Sequence, residues 1–292
     1  MMTQFRMILK SMRPRQWLKN IFVFAALVFD GQLFSYRSFL TTSLAVLLFC
    51  LVSSLSYLIN DLVDIEVDRK HPKKQHRPLA SGELSQKNAA IGVIILAVVV
   101  FPASFVLDLV FGLIISAYFL LMVAYSMVLK RIPLLDVMAI ATGFVLRVAA
   151  GVVVIDIDML SPWLFVATTF LALFIALGKR RAEMALLQDD AGSHRQVLQG
   201  YTKDFLDQLL TIVMSTTLMT YCLYTFSSPI ASNNQSMMLT IPFVIYGLFR
   251  YLYLIRIKRI GGAPEEIILT DRHMQITITF WSLTVILILY FL

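Results

Sequence analysis

Residues 38–69 read SFLTTSLAVLLFCLVSSLSYLINDLVDIEVDR, and the two parts of this stretch decide what kind of molecule it is. Up to Ile59 there is no charged side chain over 22 residues. A helix crossing a bilayer core needs about 20 mostly apolar residues, so 38–59 is long enough to span. The second part opens with Asn60 and turns acidic at once, with Asp61, Asp64, Glu66 and Asp68. An apolar span that runs directly into carboxylates places ionisable groups at a membrane boundary, where they are costly unless they have a function.

The rest of the chain continues in kind. Of its 292 residues, 59% are hydrophobic and 15% charged, with a mean hydropathy of +0.78. Soluble domains have roughly 45–50% apolar and 25% charged residues. The 12 Gly and 9 Pro follow no period, which excludes collagen-like sequence, and no low-complexity tract is present. Cys50 and Cys222 lie far apart in apolar runs and form no disulfide or zinc pattern. The reading is an all-α polytopic membrane protein. Its candidate spans number nine: 19–34, 38–59, 88–107, 110–129, 135–155, 162–179, 205–226, 237–256 and 273–292. The first is the shortest and opens on the amphipathic Asn20-Ile21-Phe22-Val23. No cleavable signal peptide is expected, because Arg13-Pro14-Arg15 and Lys19 interrupt the N-terminal region. Phe5, Ile8, Leu9 and Met12 recur at helical spacing, so residues 4–12 read as a helix lying on the membrane surface. The expected organisation is an interfacial segment, 1–18, followed by a single nine-helix transmembrane domain, 19–292.

Charge orients the spans. Of the 25 Lys and Arg, 22 fall in the N-terminal segment and in loops 60–87, 130–131, 179–203 and 256–272. The opposite loops hold only Arg37, while Arg147 and Arg250 lie inside spans. By the positive-inside rule the N-terminus is cytoplasmic and the C-terminus outside, in the plasma (inner) membrane. The net charge of +7 is therefore a property of one face and no argument for nucleic acid.

At about 100° per residue, Asp64 lies about 60° and Asp68 about 20° from Asp61 around a helix. Three carboxylates thus share a face, with Asn60 and Tyr57 at its edges and Glu66 about 140° away. Their mutual repulsion calls for a cation, and Mg2+ suits a few carboxylates completed by water and phosphate oxygens. The alternative is a solvated helix end balanced by Arg69, Lys70, Lys73 and Lys74.

Asn60-Asp61-x-x-Asp64-x-x-x-Asp68 resembles the first aspartate-rich motif of the UbiA-type intramembrane prenyltransferase superfamily. Further blocks resemble its decaprenyl-phosphate phosphoribosyltransferase branch. They are Arg13-Pro14-Arg15-Gln16-Trp17-Leu18-Lys19-Asn20 and Asp68-Arg69-x-His71-Pro72-x-Lys74-x-x-Arg77-Pro78-x-Ala80-x-Gly82, then Tyr125-Ser126-x-x-Leu129-Lys130 and Gly178-Lys179-Arg180-Arg181-x-Glu183, and last Gly261-Gly262-x-Pro264-Glu265 with Asp271-Arg272. The resemblance implies nine helices around a central cavity open to the cytoplasmic side and, laterally, to lipid. It also implies transfer of 5-phosphoribose from phosphoribosyl diphosphate (PRPP) to a polyprenyl phosphate. Asp61, Asp64 and Asp68 would hold Mg2+, with Asn60 beside them. Lys19, Asn20, Lys73, Lys74, Arg77, Tyr125, Lys130, Asp136, Arg147, Lys179 and Arg180 would bind substrate. For any one of these cations the alternative is a topology anchor or a snorkelling side chain.

Many superfamily members carry a second acidic motif before the fifth span, with another acid four residues on. Here Asp136 is present but Ile140 occupies the second place. That departure suits an enzyme whose lipid substrate is a monophosphate. Arg147, eleven residues further, lies about 16 Å deeper on the same face. It would contact the lipid phosphate or support the carboxylates, unless it forms an ion pair with an acid on another helix. His71 and His76 read as loop residues near the site. An aromatic prenyltransferase using a polyprenyl diphosphate would favour two complete acidic clusters, and a transporter would more often show internal repeats.

Overall fold

The computed structural model describes residues 2–70, 74–155, 157, 161–186, 196–227, 236–258 and 264–292, and every regular element in them is helical. Helix α1 is Met2–Ser11, α2 Phe24–Phe29, α3 Tyr36–Val63, α4 Ile65–Arg69, α5 Gln86–Leu107 and α6 Leu109–Met127. They are followed by α7 Leu135–Val154, α8 Pro162–Leu186, α9 Lys203–Ser227, α10 Ile241–Arg256, α11 Pro264–Thr270 and α12 Arg272–Phe291. Among the described residues, 8 helical stretches are long and apolar enough to cross a membrane: α3, α5, α6, α7, α8, α9, α12, and α10 with the 3-10 turn Ser236–Thr240 before it. The chain is a multi-pass membrane protein.

The ninth expected span, 19–34, is not a helix of that kind. A 3-10 helix runs over Pro14–Val23 and passes directly into the 6-residue α2. The uninterrupted apolar run is only Ile21 to Phe29, too short for an α-helical crossing. Arg13, at φ 54°, turns the chain out of α1 ahead of Pro14, and Gly31, at φ +74°, follows Asp30 just beyond α2.

Caps explain several of the other boundaries. Ser35, Ser85 and Asp271 accept the backbone N–H groups of Ser38, Asn88 and Met274 at the starts of α3, α5 and α12. A single extended residue, Asp108, joins α5 to α6 and accepts from Phe111 N at 2.7 Å. The Phe105 ring lies over Gly112, where a Cβ would come within 2.4 Å of it, so the hairpin closes tightly.

By its contacts the chain falls into two compact units. The first comprises Met1–Leu27, Ser35–Leu129 and Leu146–Asp156. Its core packs Ala45, Phe49 and Val52 of α3 against Phe111, Ile115 and Tyr118 of α6. Ile91, Ile94, Ile95, Val98 and Val99 of α5 are left exposed as an apolar strip suited to lipid chains. A smaller cluster, Leu58, Ile65, Leu79, Leu84 and Ala89, anchors the segment after α4. Burial of Leu79 and Leu84 stabilises that anchor by about 1.5–3 kcal/mol each. The turn between them bonds Ser81 N to Arg77 O at 2.8 Å and Leu84 N to Pro78 O at 2.8 Å, with Gly82 at φ +82°. Arg77 is thereby held at a fixed place.

The second unit comprises Val28–Phe34, Lys130–Val145 and Ile157–Leu292. Phe174 and Leu177 of α8, Leu206 and Leu210 of α9, and Tyr251 and Ile255 of α10 form its core. Gly178 lets α8 approach α10, since a Cβ there would lie 2.9 Å from the Tyr251 ring. Thr216, Thr217 and Thr220 return their hydroxyls to carbonyls one turn back, which satisfies them within an apolar span.

Candidate functional site

In the first unit α3 and α4 are nearly one helix, separated at Asp64 (φ −95°, ψ 9°). Asp64 N still bonds Asn60 O at 2.9 Å, and Asp68 N bonds Asp64 O at 2.8 Å. Helical phase therefore survives the break, and Asp61 and Asp68 converge on one guanidinium. Arg77 Nη1 donates to Asp61 Oδ1 at 3.1 Å and to Asp68 Oδ2 at 2.6 Å. Arg13 Nη2 makes a close contact with the same Asp61 oxygen, and its Cζ lies 4.8 Å from the centre of the Tyr57 ring. Lys74 Nζ is 3.8 Å from Asp68 Oδ1.

Both carboxylates are buried, at 2% and 1% exposure. Charges so placed are costly unless paired, and the three cations supply that pairing. One oxygen stands apart: Asp68 Oδ1 is buried and accepts no hydrogen bond. Two close carboxylates with an oxygen lone pair to spare fit a hard divalent cation that completes its shell from water and phosphate. Among the described residues, no three His, Cys, Asp or Glu side chains gather as a metal cage. The structure brings Asp61 and Asp68 together, while Asp64 sits half-buried at the break and Asn60 beside it. Glu66 points elsewhere and pairs with Arg69 at 2.7 Å.

The other candidate residues are distributed as follows. Lys19 donates to Gln16 at 2.5 Å. Asn20 is fully buried and accepts from Arg147 Nε at 2.8 Å. Arg147 also donates to Tyr118 Oη at 2.8 Å and lies over the Tyr118 ring. Neutral groups thus receive the membrane arginine in the first unit. Tyr125, Lys130 and Lys179 are half-buried, Lys130 in the 3-10 turn Leu129–Arg131. Lys73 and His71 lie outside the described residues.

In the second unit Asp136, in the first turn of α7, is fully buried. It accepts from Arg180 Nε at 2.5 Å and from Tyr201 Oη at 2.7 Å. Arg180 also donates to Glu183 at 2.6 Å, and Tyr201 Oη accepts from Leu134 N at 2.7 Å. Gly200 admits Pro133 where a Cβ would come within 2.3 Å of its ring. Burial pushes the Tyr201 phenol up, and its hydrogen bond to Asp136 adds to the shift.

Sequence reasoning left Arg13, Tyr201 and Glu183 out of the site. Arg13 and Glu183 lie in quoted motif blocks, but their partners lie 48 residues away and one turn away respectively. Tyr201 carries no local signal beyond following a glycine.

A model of the UbiA prenyltransferase family matches residues 20–265. A decaprenyl-phosphate phosphoribosyltransferase of Mycolicibacterium smegmatis is 35% identical over 297 residues, covering 97% of this chain and 92% of that protein. The protein of the same name from Corynebacterium glutamicum is 31% identical over 290 residues, covering 97% and 86%. A UbiA homolog from Archaeoglobus fulgidus, solved bound to GPP and Mg2+, superposes with a TM-score of 0.71 at 20% identity, covering 97% of this chain and 99% of that one. The family match takes in most of the chain, including the aspartate-rich end of α3, and the chain belongs to the UbiA prenyltransferase family.

Proposed function

We propose that this protein transfers the 5-phosphoribosyl group of PRPP to a polyprenyl phosphate. The ribose C1–O bond to diphosphate breaks, a bond from C1 to a lipid phosphate oxygen forms, and diphosphate leaves. The full-length likeness to proteins named for this reaction supports the reading. Within the molecule, the observation that carries it is the commitment of Asp136 to Arg180 and Tyr201. The second acidic position is an internal tie, which leaves one acidic pair for one diphosphate.

Asp61 and Asp68, with Asp64 and Asn60 beside them, would hold Mg2+, which when bound supplies positive charge against the departing diphosphate. Arg77, Arg13 and Lys74 line the same carboxylates and are partly exposed, so they can turn toward donor oxygens. Arg offers phosphate a planar fork and Lys a mobile point charge. The motif resemblance assigns Lys73, Tyr125, Lys130 and Lys179 to substrate binding as well. Arg180 is already engaged by two carboxylates and acts through Asp136. The lipid phosphate is anionic near neutral pH and needs no strong base. The main work of the side chains is to bring two anions together, with attack opposite the leaving group and inversion at C1.

The same reading makes 19–292 the catalytic domain behind the interfacial segment 1–18, in the plasma membrane, with the N-terminus and the acidic mouth cytoplasmic. It requires the chain between Lys19 and Tyr36 to cross. From Lys19 the 3-10 helix to Val23 rises about 10 Å and α2 about 9 Å, and the non-helical residues 30–35 would span the rest of the roughly 30 Å hydrocarbon core. A cysteine at Ser81 should label from the cytoplasmic side only, and one at Arg37 from the other. The deciding experiment gives the purified protein Mg2+, radiolabelled PRPP and a panel of polyprenyl phosphates, polyprenyl diphosphates and aromatic acceptors. Label should move to a polyprenyl phosphate; prenylation of a ring with PRPP ignored overturns the proposal.

A further inference from the structure

Arg147 is 5% exposed and twelve residues into α7, and it donates to Asn20 of the 3-10 segment and to Tyr118 of α6. We infer that Arg147 is a positioning residue: through Asn20 it seats the 3-10 helix Pro14–Val23, and that helix delivers Arg13 to Asp61.

The seat has two points. At the first, Arg147 Nε donates to Asn20 Oδ1 at 2.8 Å while Asn20 Nδ2 donates to Cys50 Sγ at 3.2 Å, and Tyr118 Oη takes a second arm of the guanidinium at 2.8 Å. At the second, α7 meets the segment at Gly151, where a Cβ would lie 2.1 Å from Val23 O and 3.3 Å from Ala26 Cβ. The spacings match. Asn20 to Val23 is one 3-10 turn, a rise of about 6 Å, and Arg147 to Gly151 is four α-helical residues, also about 6 Å. An α-helix over 14–23 would rise about 4.5 Å between the same two residues, about 1.5 Å short of the spacing on α7. The 3-10 form is thus the one in register with α7.

From that seat the segment runs back toward the site. Trp17 Nε1 donates to Ser54 Oγ at 3.0 Å, and Ser54 Oγ in turn donates to Met12 O at 3.2 Å. Arg13, at φ 54°, leads the segment, stands over Tyr57 and meets Asp61. A left-handed backbone at a non-glycine residue is unfavourable and persists only where its surroundings hold it. Here Trp17, Asn20 and Val23 hold it on one side and Asp61 on the other.

The inference rests on the reading that Asp61 belongs to the donor site, and its test is a double-mutant cycle on donor KM with the full chain in detergent. Arg147→Lys keeps the charge but loses the fork. It should raise KM for PRPP roughly tenfold, the lower end expected for a lost charge-assisted contact. In an Arg13→Ala background the same change should add less than about twofold, because nothing is left to deliver. Adding Asn20→Asp to Arg147→Lys gives the ammonium a carboxylate and should restore KM toward wild type. Gly151→Ala, which displaces Val23 without touching Arg147, should give the same KM signature. Equal effects of Arg147→Lys in both backgrounds, or a fall in thermal stability with KM unmoved, would overturn the inference. If the wild type ignores PRPP, the substrate reading falls, and the cycle is then scored on whichever donor it accepts.

Discussion

Two arginine–carboxylate clusters of similar composition sit in the two units, and they differ in what can reach them. Around Asp61 and Asp68, the side chains of Arg13, Arg77 and Lys74 are 26%, 24% and 35% exposed. Around Asp136, Arg180 is 1% exposed and the carboxylate itself 0%. The first cluster is a pair of buried anions collared by cations that can move, with one carboxylate oxygen unbonded. The second is closed, with Tyr201 and Glu183 taking up its remaining groups. The first sets two carboxylates against three cations and the second two carboxylates against one, and both pair arginine with a buried acid. What separates them is whether a cation can be exchanged.

The largest expected effect falls on the open cluster. Asp61→Asn or Asp68→Asn should lower turnover by about 10²–10³-fold or more, as expected when charge stabilisation of a leaving group is lost. The neutral amide nearly preserves shape, so yield should hold. Activity near wild type in either variant, measured with PRPP and Mg2+ in excess, would show that this acidic face is not the donor site. Next comes the closed cluster. Asp136→Asn leaves the buried Arg180 guanidinium with Glu183 but without its buried counter-charge, and breaking such a pair costs up to about 3–5 kcal/mol. The loss should appear as a lower thermal midpoint and poor yield, with the surviving folded fraction binding PRPP normally. A KM change with stability intact would reverse the assignment of roles.

The spans were legible because lipid imposes a simple rule on composition. Expected 88–107 became Gln86–Leu107, 110–129 became Leu109–Met127, and 273–292 became Arg272–Phe291. The helix over 162–179 runs on to Leu186 because Lys179, Arg180, Arg181 and Glu183 are good helix formers once the membrane is behind them. For the expected span 19–34 the change of helix type at Phe24 was not legible, because hydropathy does not distinguish a backbone bonded three residues back from one bonded four back. The register with Arg147 and Gly151 that favours the tighter form joins segments more than 120 residues apart. The acidic face was legible from helical phase, which survives the break at Asp64. Arg13 was counted as a topology charge and Arg180 as a substrate cation because a sequence shows a charge and not its partner.

The third prediction sharpens the distinction by exchange. Arg77→Ala removes the guanidinium shared by Asp61 and Asp68, and should raise donor KM about tenfold to a hundredfold. Its thermal midpoint should also fall, since two buried carboxylates lose a counter-charge. Because this cluster is open, excess Mg2+ should recover most of that midpoint, with Ca2+ less effective if the site is small. Arg180→Ala should lose stability and regain none of it from either ion. Recovery of both variants by metal, or of neither, would erase the difference between the clusters.

The smallest effect concerns Tyr201, which belongs wholly to the closed cluster. Tyr201→Phe deletes the donor to Asp136 Oδ1 and the acceptor for Leu134 N, the amide of a residue held at φ 69°. Arg180 still neutralises Asp136, so the cost should be about 1–2 kcal/mol, and donor KM should not move. The pH dependence has a definite sign. Burial, aided by the bond to Asp136, raises the phenol above its ordinary value of about 10. Below that pH the phenol is protonated in both folded and unfolded chains, and its contribution is constant. Above it the unfolded phenol ionises while the folded one keeps its proton, so stability falls as pH rises from about 10 toward the folded value. Thermal midpoints of wild type and Tyr201→Phe should therefore run parallel between pH 6 and 9 and converge in the alkaline range. Parallel curves throughout would mean that the phenol is hydrated and that the second cluster is not closed at this edge.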